Sequence, residues 1–284
     1  MKIDSKTKTV CLLGHPVKQS FSPNIHNYLF TKYNKNYIYM CFDVNSSNLK
    51  EAIQGIKALK VFGCNVTIPH KVDIIKYLGE IDKNAKLIGA VNTIKNEGGI
   101  LKGYNTDGRG FVKSILDKGY NLSGKKVMII GAGGSCRSIS VELASNNVEL
   151  IEIRNRSEEK AKSIASTLNE NFDIDVKYST KKIETPDLNS IDILINTTPI
   201  GMGTNECPID ESIIPNKNLL VCDIVYKPHD TNFIKWGHKN GLDTIYGIDM
   251  LINQALEAFY IWTGIKPTKE DKKAINKLYL DSIN

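Results

Sequence analysis

The chain has 284 residues, of which 41% are hydrophobic and 24% are charged, and its formal net charge is +6. This composition suits a globular protein of two ordinary domains and excludes an intrinsically disordered chain. The positive charge is mild and dispersed, so it does not indicate nucleic-acid binding, although it is compatible with small anionic ligands. No apolar run approaches a membrane span, and the stretch MKIDSKTKTVCLLG lacks the apolar core of a secretory signal.

The six cysteines and five histidines show no metal-ligand spacing, and neither a CxxC pair nor an HExxH motif is present. We therefore predict no metal. Most of the cysteines lie in apolar runs, so we interpret them as small buried side chains in a reducing cytoplasm rather than as disulfide or zinc ligands.

Strand and helix patterns alternate along the whole chain. In the first part we predict strands at 9–13, 37–42, 61–66, 90–95 and 100–104, and helices at 22–33, 48–59, 70–78, 80–88 and 108–118. The turn NEGG between the last two of these strands indicates a hairpin. The second part begins near residue 125, with further strands at 148–153, 175–178, 191–195 and 219–224, a helix at 157–169, and a mostly helical segment at 248–284.

This βαβ order predicts an α/β protein with parallel sheets and right-handed crossovers. We expect an N-terminal α/β domain at 1–107 and a Rossmann-type dinucleotide-binding domain at 108–246. The C-terminal helices at 247–284 are expected to return to the first domain and complete it.

A glycine loop, GAGGSC at 131–136, lies between an apolar strand and a helix. Gly131 permits the tight turn, and Gly133 allows the backbone to approach a pyrophosphate. The N–H groups at the start of the following helix favour an anion. This context favours a dinucleotide site over a purely structural glycine turn.

The next strand ends in IEIRNRSEEK, where enzymes that use NAD usually place an acidic residue for the ribose 2′-hydroxyl. The chain instead has Arg154, Asn155, Arg156 and Ser157, which suit a 2′-phosphate and predict NADP. Lys160 adds positive charge from the following helix. Glu158 and Glu159 are interpreted as favourable charges in the first turn of that helix.

The stretch GCNVTIPHK at 63–71 places Lys71 just beyond a buried strand and a Thr-Ile-Pro turn. The carboxyl end of such a strand is where α/β proteins often carry their chemistry. On the residues alone, a solvated surface lysine is the alternative interpretation.

With this stretch, eight others form a collinear set: GHPVKQSFSPNIHN (14–27), GAVNTI (89–94), GYNTDGRGF (103–111), GAGGS (131–135), NRS (155–157), NTTPIGM (196–202), DIVYKP (223–228) and GIDMLINQALEAFYIWTG (247–264). In this order and spacing the set resembles the shikimate dehydrogenase family over nearly the whole chain. The resemblance implies reversible reduction of 3-dehydroshikimate to shikimate with NADPH, on the route to chorismate and the aromatic amino acids. It also implies that the first domain binds the substrate.

Carried over residue by residue, the resemblance implies a substrate-binding set of Ser20, Ser22, Asn65, Thr67, Asn92, Tyr226 and Gln254. Ser20 and Ser22 would hold the carboxylate, although Ser22 could instead cap the helix that starts at Pro23. The other five would bind ring hydroxyls or the carboxylate, as a polyhydroxy acid requires several fixed neutral partners.

Lys71 and Asp107 match the family's catalytic pair. A lysine ammonium can supply the proton or the positive charge that a developing alkoxide requires. Asp107 also begins a helix, so N-capping is its structural alternative. The implied NADP-binding residues are Gly131, Ala132, Gly133, Gly134, Ser135, Asn155, Arg156, Ser157, Lys160, Ile224 and Gly247.

The chain departs from the family pattern at three positions, where Gln19, Ser157 and Ser138 replace a common His, Thr and Ala. None of these changes removes a catalytic group. The nearest alternative function is a quinate/shikimate dehydrogenase that uses NAD or NADP, and a more distant one is a non-catalytic NADP-binding regulator. We expect a monomer or homodimer without nucleic-acid or membrane partners.

Overall fold

The computed structural model describes residues 3–283, which form two compact units. One unit contains the residues up to Thr106 together with those from Ile252 onward, and the other contains Asp107–Leu251. The C-terminal segment therefore returns to the first unit. Within residues 3–283, no helix combines the length and the apolarity needed to cross a membrane.

The first unit is built on a six-stranded sheet in the order β2-β1-β3-β5-β6-β4. Its strands are β1 (Lys8–Gly14), β2 (Tyr37–Asp43), β3 (Gly63–Val66), β4 (Glu80–Ile81), β5 (Thr93–Glu97) and β6 (Ile100–Tyr104), and its first three helices are α1 (Ser22–Lys32), α2 (Leu49–Ala58) and α3 (Lys83–Ile88). Helix α2 shows how the sequence packs: Leu49, Ile53 and Ile56 are spaced by four and three residues and are all buried in the core.

The second unit is a fully parallel six-stranded sheet in the order β12-β11-β10-β7-β8-β9. Its strands are β7 (Lys126–Ile130), β8 (Leu150–Arg154), β9 (Asp175–Ser179), β10 (Ile193–Asn196), β11 (Leu220–Asp223) and β12 (Thr244–Ile245), and its helices are α4 (Asp107–Asp117), α5 (Gly134–Ser145), α6 (Glu158–Asn171), α7 (Thr185–Leu188) and α8 (Asn232–Lys239). Read from the other edge, this is the strand order of the doubly wound dinucleotide-binding fold. The predicted α/β class and the Rossmann-type unit are confirmed.

Two helices complete the chain, α9 (Gly247–Thr263) and α10 (Lys269–Ile283). Buried Asp271 of α10 lies 2.6 Å from both the Lys32 Nζ atom and the Tyr33 hydroxyl at the end of α1. The indole of Trp262 in α9 donates to the Ile94 carbonyl at 2.9 Å. These contacts fix α10 and the last part of α9 within the first unit.

The first sheet is mixed, whereas the sequence predicted parallel sheets throughout. Strand β5 runs antiparallel to both β3 and β6. The predicted hairpin accounts for the pairing of β5 with β6: Gly98 and Gly99 adopt positive φ angles of 65° and 97°, and a tight turn of this kind joins only antiparallel strands.

The predicted helix at 70–78 is wrong. Only a short 3₁₀ helix, Asp73–Tyr77, forms there. The carbonyl of Lys71 accepts the N–H of Val91 at 2.8 Å instead of a helical partner, so the segment after β3 is held as a turn. The predicted helix at 80–88 is shorter and follows strand β4.

Candidate active site

The glycine loop lies at the carboxyl end of β7. Gly131 has φ +103°, and a Cβ atom there would lie 2.8 Å from Thr197 Oγ1 and 2.9 Å from Thr198 Cγ2. Both the turn and the neighbouring chain therefore require glycine at this position. Gly133 and Gly134 are different, because among residues 3–283 no atom beyond the adjoining backbone lies within 4 Å of a Cβ added to either. They form an open, exposed start to α5, followed by Ser135.

A cavity of about 600 Å³ lies beside this loop in the second unit. Its lining residues come from the ends of β7, β8 and β10 and from two loops: Ile130–Gly133, Arg154–Ser157, Lys160, Thr180–Ile183, Thr197–Ile200 and Pro208. Of the predicted cofactor residues, the lining includes Gly131, Ala132, Gly133, Asn155, Arg156, Ser157 and Lys160. Proteins of this fold bind nucleotides in the crevice at the carboxyl ends of the parallel strands.

The two arginines of the basic stretch have different environments. The guanidinium of Arg154 is buried and lies 2.6 Å from a Glu152 oxygen and 2.9 Å from Asp187 Oδ1, so two carboxylates already neutralise it. Arg156 is exposed at the cavity, together with Lys160. The 2′-phosphate interpretation therefore rests on Arg156 and not on Arg154.

The hydroxyl of Ser157 is not used to cap α6, although Ser157 is the residue that precedes this helix. The Asn155 side chain donates to the Ser157 carbonyl at 2.8 Å and shapes the turn. Glu158 and Glu159 are exposed in the first turn of α6, as expected for charges that favour a helix start. A hydroxyl, a guanidinium and an ammonium therefore border one cavity, and this donor set fits a phosphate monoester.

Four predicted cofactor residues do not line this cavity: Gly134, Ser135, Ile224 and Gly247. A Cβ on Gly247 would lie 2.5 Å from the carbonyl oxygens of both Ile224 and Val225. The absence of a side chain at residue 247 therefore allows the start of α9 to pack against the chain after β11.

A buried polar cluster links three of the predicted substrate residues within the first unit. Asn65 in β3 donates to Thr93 Oγ1 at 3.1 Å, and Thr93 donates to Asn92 Oδ1 at 3.0 Å. Asn92 donates to Thr106 Oγ1 at 3.0 Å, and Thr106 donates to Gln254 Oε1 at 3.4 Å. Hence Asn65, Asn92 and Gln254 are brought together by two threonine hydroxyls.

The two predicted carboxylate-binding serines lie at the start of α1. Phe21 is the N-cap residue and makes no side-chain cap, whereas Ser20 Oγ accepts the N–H of Ser22 at 3.3 Å. Ser22 is buried inside the first turn. The suggestion that Ser22 caps the helix is therefore wrong, because it is Ser20 that accepts a helix N–H.

Thr67 and Lys71 occupy the turn that follows β3. The Thr67 N–H donates to the Leu13 carbonyl at 2.9 Å, and its methyl group fills the space where Gly14 has no Cβ. Lys71 is half-buried, and its backbone is tied to Val91. This turn places Lys71 just beyond Asn65 and Thr67 in the chain.

Asp107 and Tyr226 belong to the second unit. Asp107 is the buried first residue of α4, and the N–H of Gly108 donates to Ser138 Oγ at 2.8 Å, so α4 packs closely on α5. Burial raises the pKa of Tyr226 above its usual value. The pairing of Lys71 with Asp107 stays a prediction.

Three family models match consecutive parts of the chain: shikimate dehydrogenase substrate binding domain (residues 12–94), shikimate/quinate 5-dehydrogenase (111–211) and shikimate 5'-dehydrogenase C-terminal domain (247–275). A relative from Caldanaerobacter subterraneus subsp. tengcongensis, named shikimate dehydrogenase (NADP(+)), is 46% identical over 93% of this chain and 94% of its own length. The chain belongs to the shikimate dehydrogenase family.

Solved structures agree with this assignment. A crystal structure of a shikimate dehydrogenase in complex with NADP⁺ matches with a TM-score of 0.90 and 43% identity, over 100% of this chain and 98% of the other. The ligand-free 5-ketofructose reductase of a Gluconobacter species matches with a TM-score of 0.88 and 32% identity, over 97% of this chain and 100% of the other. The fold is therefore shared with a reductase named for a different substrate.

Sequence reasoning missed the hydroxyl groups that organise the shikimate dehydrogenase motifs. Thr93 and Thr106 are fully buried and adjoin the predicted residues Asn92 and Asp107 in the motifs GAVNTI and NTD. Tyr39, also buried, donates its hydroxyl to Asn65 Oδ1 at 2.8 Å from another strand. The two threonines could have been found from their place in the motifs, whereas Tyr39 carries no local signal.

Proposed function

We propose that this protein catalyses the reversible NADPH-dependent reduction of 3-dehydroshikimate to shikimate, a step toward chorismate and the aromatic amino acids. The observation that carries the proposal is the buried hydrogen-bonded cluster of Asn65, Asn92 and Gln254 in the unit that also contains Lys71. Such a cluster suits a small polyhydroxy acid, since it offers several fixed neutral groups.

In the proposed site, Ser20 and Ser22 bind the substrate carboxylate. Asn65, Thr67, Asn92, Tyr226 and Gln254 bind the ring hydroxyls or the carboxylate. Fixed hydrogen-bonding groups orient the ring and reduce the entropy lost on reaching the transition state.

The reduced nicotinamide of NADPH supplies the hydride that reaches the carbonyl carbon. Lys71 then acts as the general acid: its ammonium donates a proton to the oxygen that develops negative charge. In the oxidative direction the neutral amine of Lys71 accepts the hydroxyl proton. The proposed role of Asp107 is that of the carboxylate that supports the charged form of Lys71.

The proposed NADP site is built from the glycine loop and the basic stretch after β8. The open start of α5 at Gly133–Ser135 would accommodate the pyrophosphate through backbone N–H groups. Arg156, Ser157 and Lys160 would hold the 2′-phosphate through charge-assisted hydrogen bonds. The basic side chains of Arg156, Lys160, Lys181 and Lys182 in the lining of the second-unit cavity support the phosphate assignment.

Initial rates of nicotinamide reduction test the proposal. Shikimate and quinate are each combined with NADP⁺ and NAD⁺, and 5-ketofructose is tested with NADPH in the reductive direction. We expect the shikimate–NADP⁺ pair to exceed every other pair by roughly tenfold or more. For NAD⁺ the reason is the loss of the charge-assisted hydrogen bonds to the 2′-phosphate.

Comparable rates with quinate or NAD⁺ would move the protein to the quinate/shikimate alternative. A protein that binds NADP⁺ without turnover on any substrate would instead be the non-catalytic regulator. Cytoplasmic location and a monomeric or homodimeric state are also part of the proposal.

A further inference from the structure

The orientation of the Asn65 carboxamide follows from its surroundings. One of its side-chain atoms lies 3.2 Å from the backbone carbonyl oxygen of Asn92. A carbonyl oxygen can only accept, so this atom must be Nδ2. Its second hydrogen is directed to Thr93 Oγ1 at 3.1 Å. Both donors of Asn65 are therefore used within the protein.

The backbone also decides how Thr93 is oriented. The N–H of Thr106 donates to Asn92 at 2.8 Å, which identifies the atom of Asn92 at that position as Oδ1. The Thr93 hydroxyl lies 3.0 Å from the same oxygen and must donate to it. Since Thr93 has only one hydroxyl hydrogen, its oxygen can only accept from Asn65. The Thr93 hydroxyl therefore faces the Nδ2 atom of Asn65 on one side and the Oδ1 atom of Asn92 on the other. Thr93 is fully buried, and water cannot replace this hydroxyl without rearrangement.

Tyr39 completes the arrangement from the edge strand β2. Its hydroxyl lies 2.8 Å from Asn65 Oδ1 and must be the donor, because an amide oxygen only accepts. An amide oxygen accepts up to two hydrogen bonds, so Asn65 Oδ1 can accept one more besides that from Tyr39. Toward a ligand, Asn65 can therefore only accept a hydrogen bond.

Two consecutive residues of α1 hold Tyr39 in place. The ring of His26 stacks on the Tyr39 ring at a centroid distance of 4.5 Å. The side chain of Asn27 accepts from the Tyr39 N–H at 2.8 Å and donates to its carbonyl at 3.1 Å. Tyr39 is 2% exposed, so its hydroxyl has a fixed direction.

We propose that Tyr39 and Thr93 are positioning residues that lock Asn65 as an obligate hydrogen-bond acceptor, so that the substrate group meeting Asn65 must be a hydroxyl that donates. The inference rests on the proposed function, since it concerns recognition of the same substrate. It adds a polarity requirement: a keto, ether or fluoro group at that ring position would face an acceptor and be rejected.

The variants Tyr39→Phe and Thr93→Val test the lock, because each removes one hydroxyl and preserves shape. The control for Thr93→Val is Thr93→Ser, which keeps the hydroxyl. The control for Tyr39→Phe is Tyr37→Phe, because Tyr37 lies in the same strand and its ring packs on Phe30 and Phe62. We expect Tyr39→Phe and Thr93→Val to raise the KM and the calorimetric Kd for shikimate roughly 5- to 10-fold, the effect of one hydrogen bond. The KM for NADP⁺ should not change in any variant.

A double-mutant cycle with Asn65→Ala separates positioning from a general structural effect. If Tyr39 acts through Asn65, Tyr39→Phe should change shikimate affinity less than about twofold in the Asn65→Ala background. Shikimate analogues provide a second readout: at one ring position, replacement of the hydroxyl by fluorine should weaken binding as much as replacement by hydrogen.

Three results would overturn the inference: an unchanged Kd for Tyr39→Phe, an equal loss in both backgrounds, or tight binding of every fluoro analogue. If Thr93→Ser binds shikimate no more tightly than Thr93→Val, Thr93 is not a positioning residue. A wild-type protein that neither binds nor oxidises shikimate would overturn the proposed function itself. Wild-type turnover with an unaffected Tyr39→Phe variant would overturn the inference alone.

Discussion

Replacement of Gly131 and Gly133 by alanine should separate the folding role of the glycine loop from its binding role. At Gly131 an alanine must adopt φ +103°, which disfavours an L residue by roughly 1–2 kcal/mol. Its Cβ would also lie 2.8 Å from Thr197 Oγ1, which is held by a 2.8 Å hydrogen bond to the Ile130 carbonyl. Forcing this contact adds roughly 1–3 kcal/mol.

The sum, roughly 2–5 kcal/mol, corresponds to a fall in the thermal midpoint of about 5 °C or more. Gly133 has extended backbone angles, φ −92° and ψ −170°, and open space around an added Cβ. Gly133→Ala should therefore change the midpoint by less than about 2 °C. It should nevertheless raise the KM for NADP⁺ roughly tenfold, because the methyl group would keep the pyrophosphate from the backbone.

Differential scanning calorimetry gives the midpoints, and initial rates at saturating shikimate give the KM values. A Gly131→Ala protein as stable as the wild type would refute the packing argument. An unchanged KM for NADP⁺ in Gly133→Ala would refute the assignment of this loop to the pyrophosphate.

Three further results are expected. Arg156→Ala should raise the KM for NADP⁺ roughly 10- to 100-fold and leave the KM for NAD⁺ unchanged. Arg154→Ala should mainly lower the thermal midpoint, because Glu152 and Asp187 lose their shared partner. Initial rates and calorimetry on both variants test this, and an exchange of the two effects would contradict it. Gly247→Ala should lower the midpoint by about 5 °C or more, because its Cβ would lie 2.5 Å from two carbonyl oxygens, and a midpoint equal to that of the wild type would exclude this contact. Burial raises the pKa of Asp223 to about 6, above an unfolded value of about 3.9. The protonated Asp223 therefore contributes its full stabilisation below about pH 4, and this stabilisation is lost as the pH rises through about 6. Between about pH 4.5 and 7 the thermal midpoint of the wild type should fall relative to that of Asp223→Asn, and a constant difference between the two midpoints would contradict the linkage.

The Rossmann-type unit could be predicted from the sequence because its signals are local. A strand, a turn that requires glycine and a helix start follow one another within GAGGSC, and each is specified by residues a few positions apart. Gly131 shows this directly, since its predicted tight turn corresponds to a positive φ. The alternation of strands and helices then restricts the order of a parallel sheet.

The electrostatic roles of the two arginines could not be predicted in the same way. Arg154 and Arg156 lie two positions apart in one basic stretch. What separates them is Asp187, 33 residues further along the chain, which pairs with Arg154. Only the folded sheet and its loops bring this carboxylate to the end of β8.

The environment of Asn65 shows the same limit for the substrate residues. Its opposite neighbour in the antiparallel pairing is Thr93, and Tyr39 reaches it from β2, across β1. The motif identified Asn65 itself, because the resemblance is carried by contiguous residues. The hydroxyls that orient it come from two other strands, and their register is not encoded locally.

The central claim is that Lys71 transfers the proton, and the most direct measurement is the kcat of Lys71→Met with shikimate and NADP⁺. The matched control is Lys76→Met, since Lys76 is an exposed lysine paired with Asp73 on the surface. We predict that Lys71→Met lowers kcat about 100- to 10,000-fold, with calorimetric binding of shikimate and NADP⁺ retained, while Lys76→Met has wild-type turnover. A Lys71→Met protein that binds both ligands and turns over at the wild-type rate would contradict the claim.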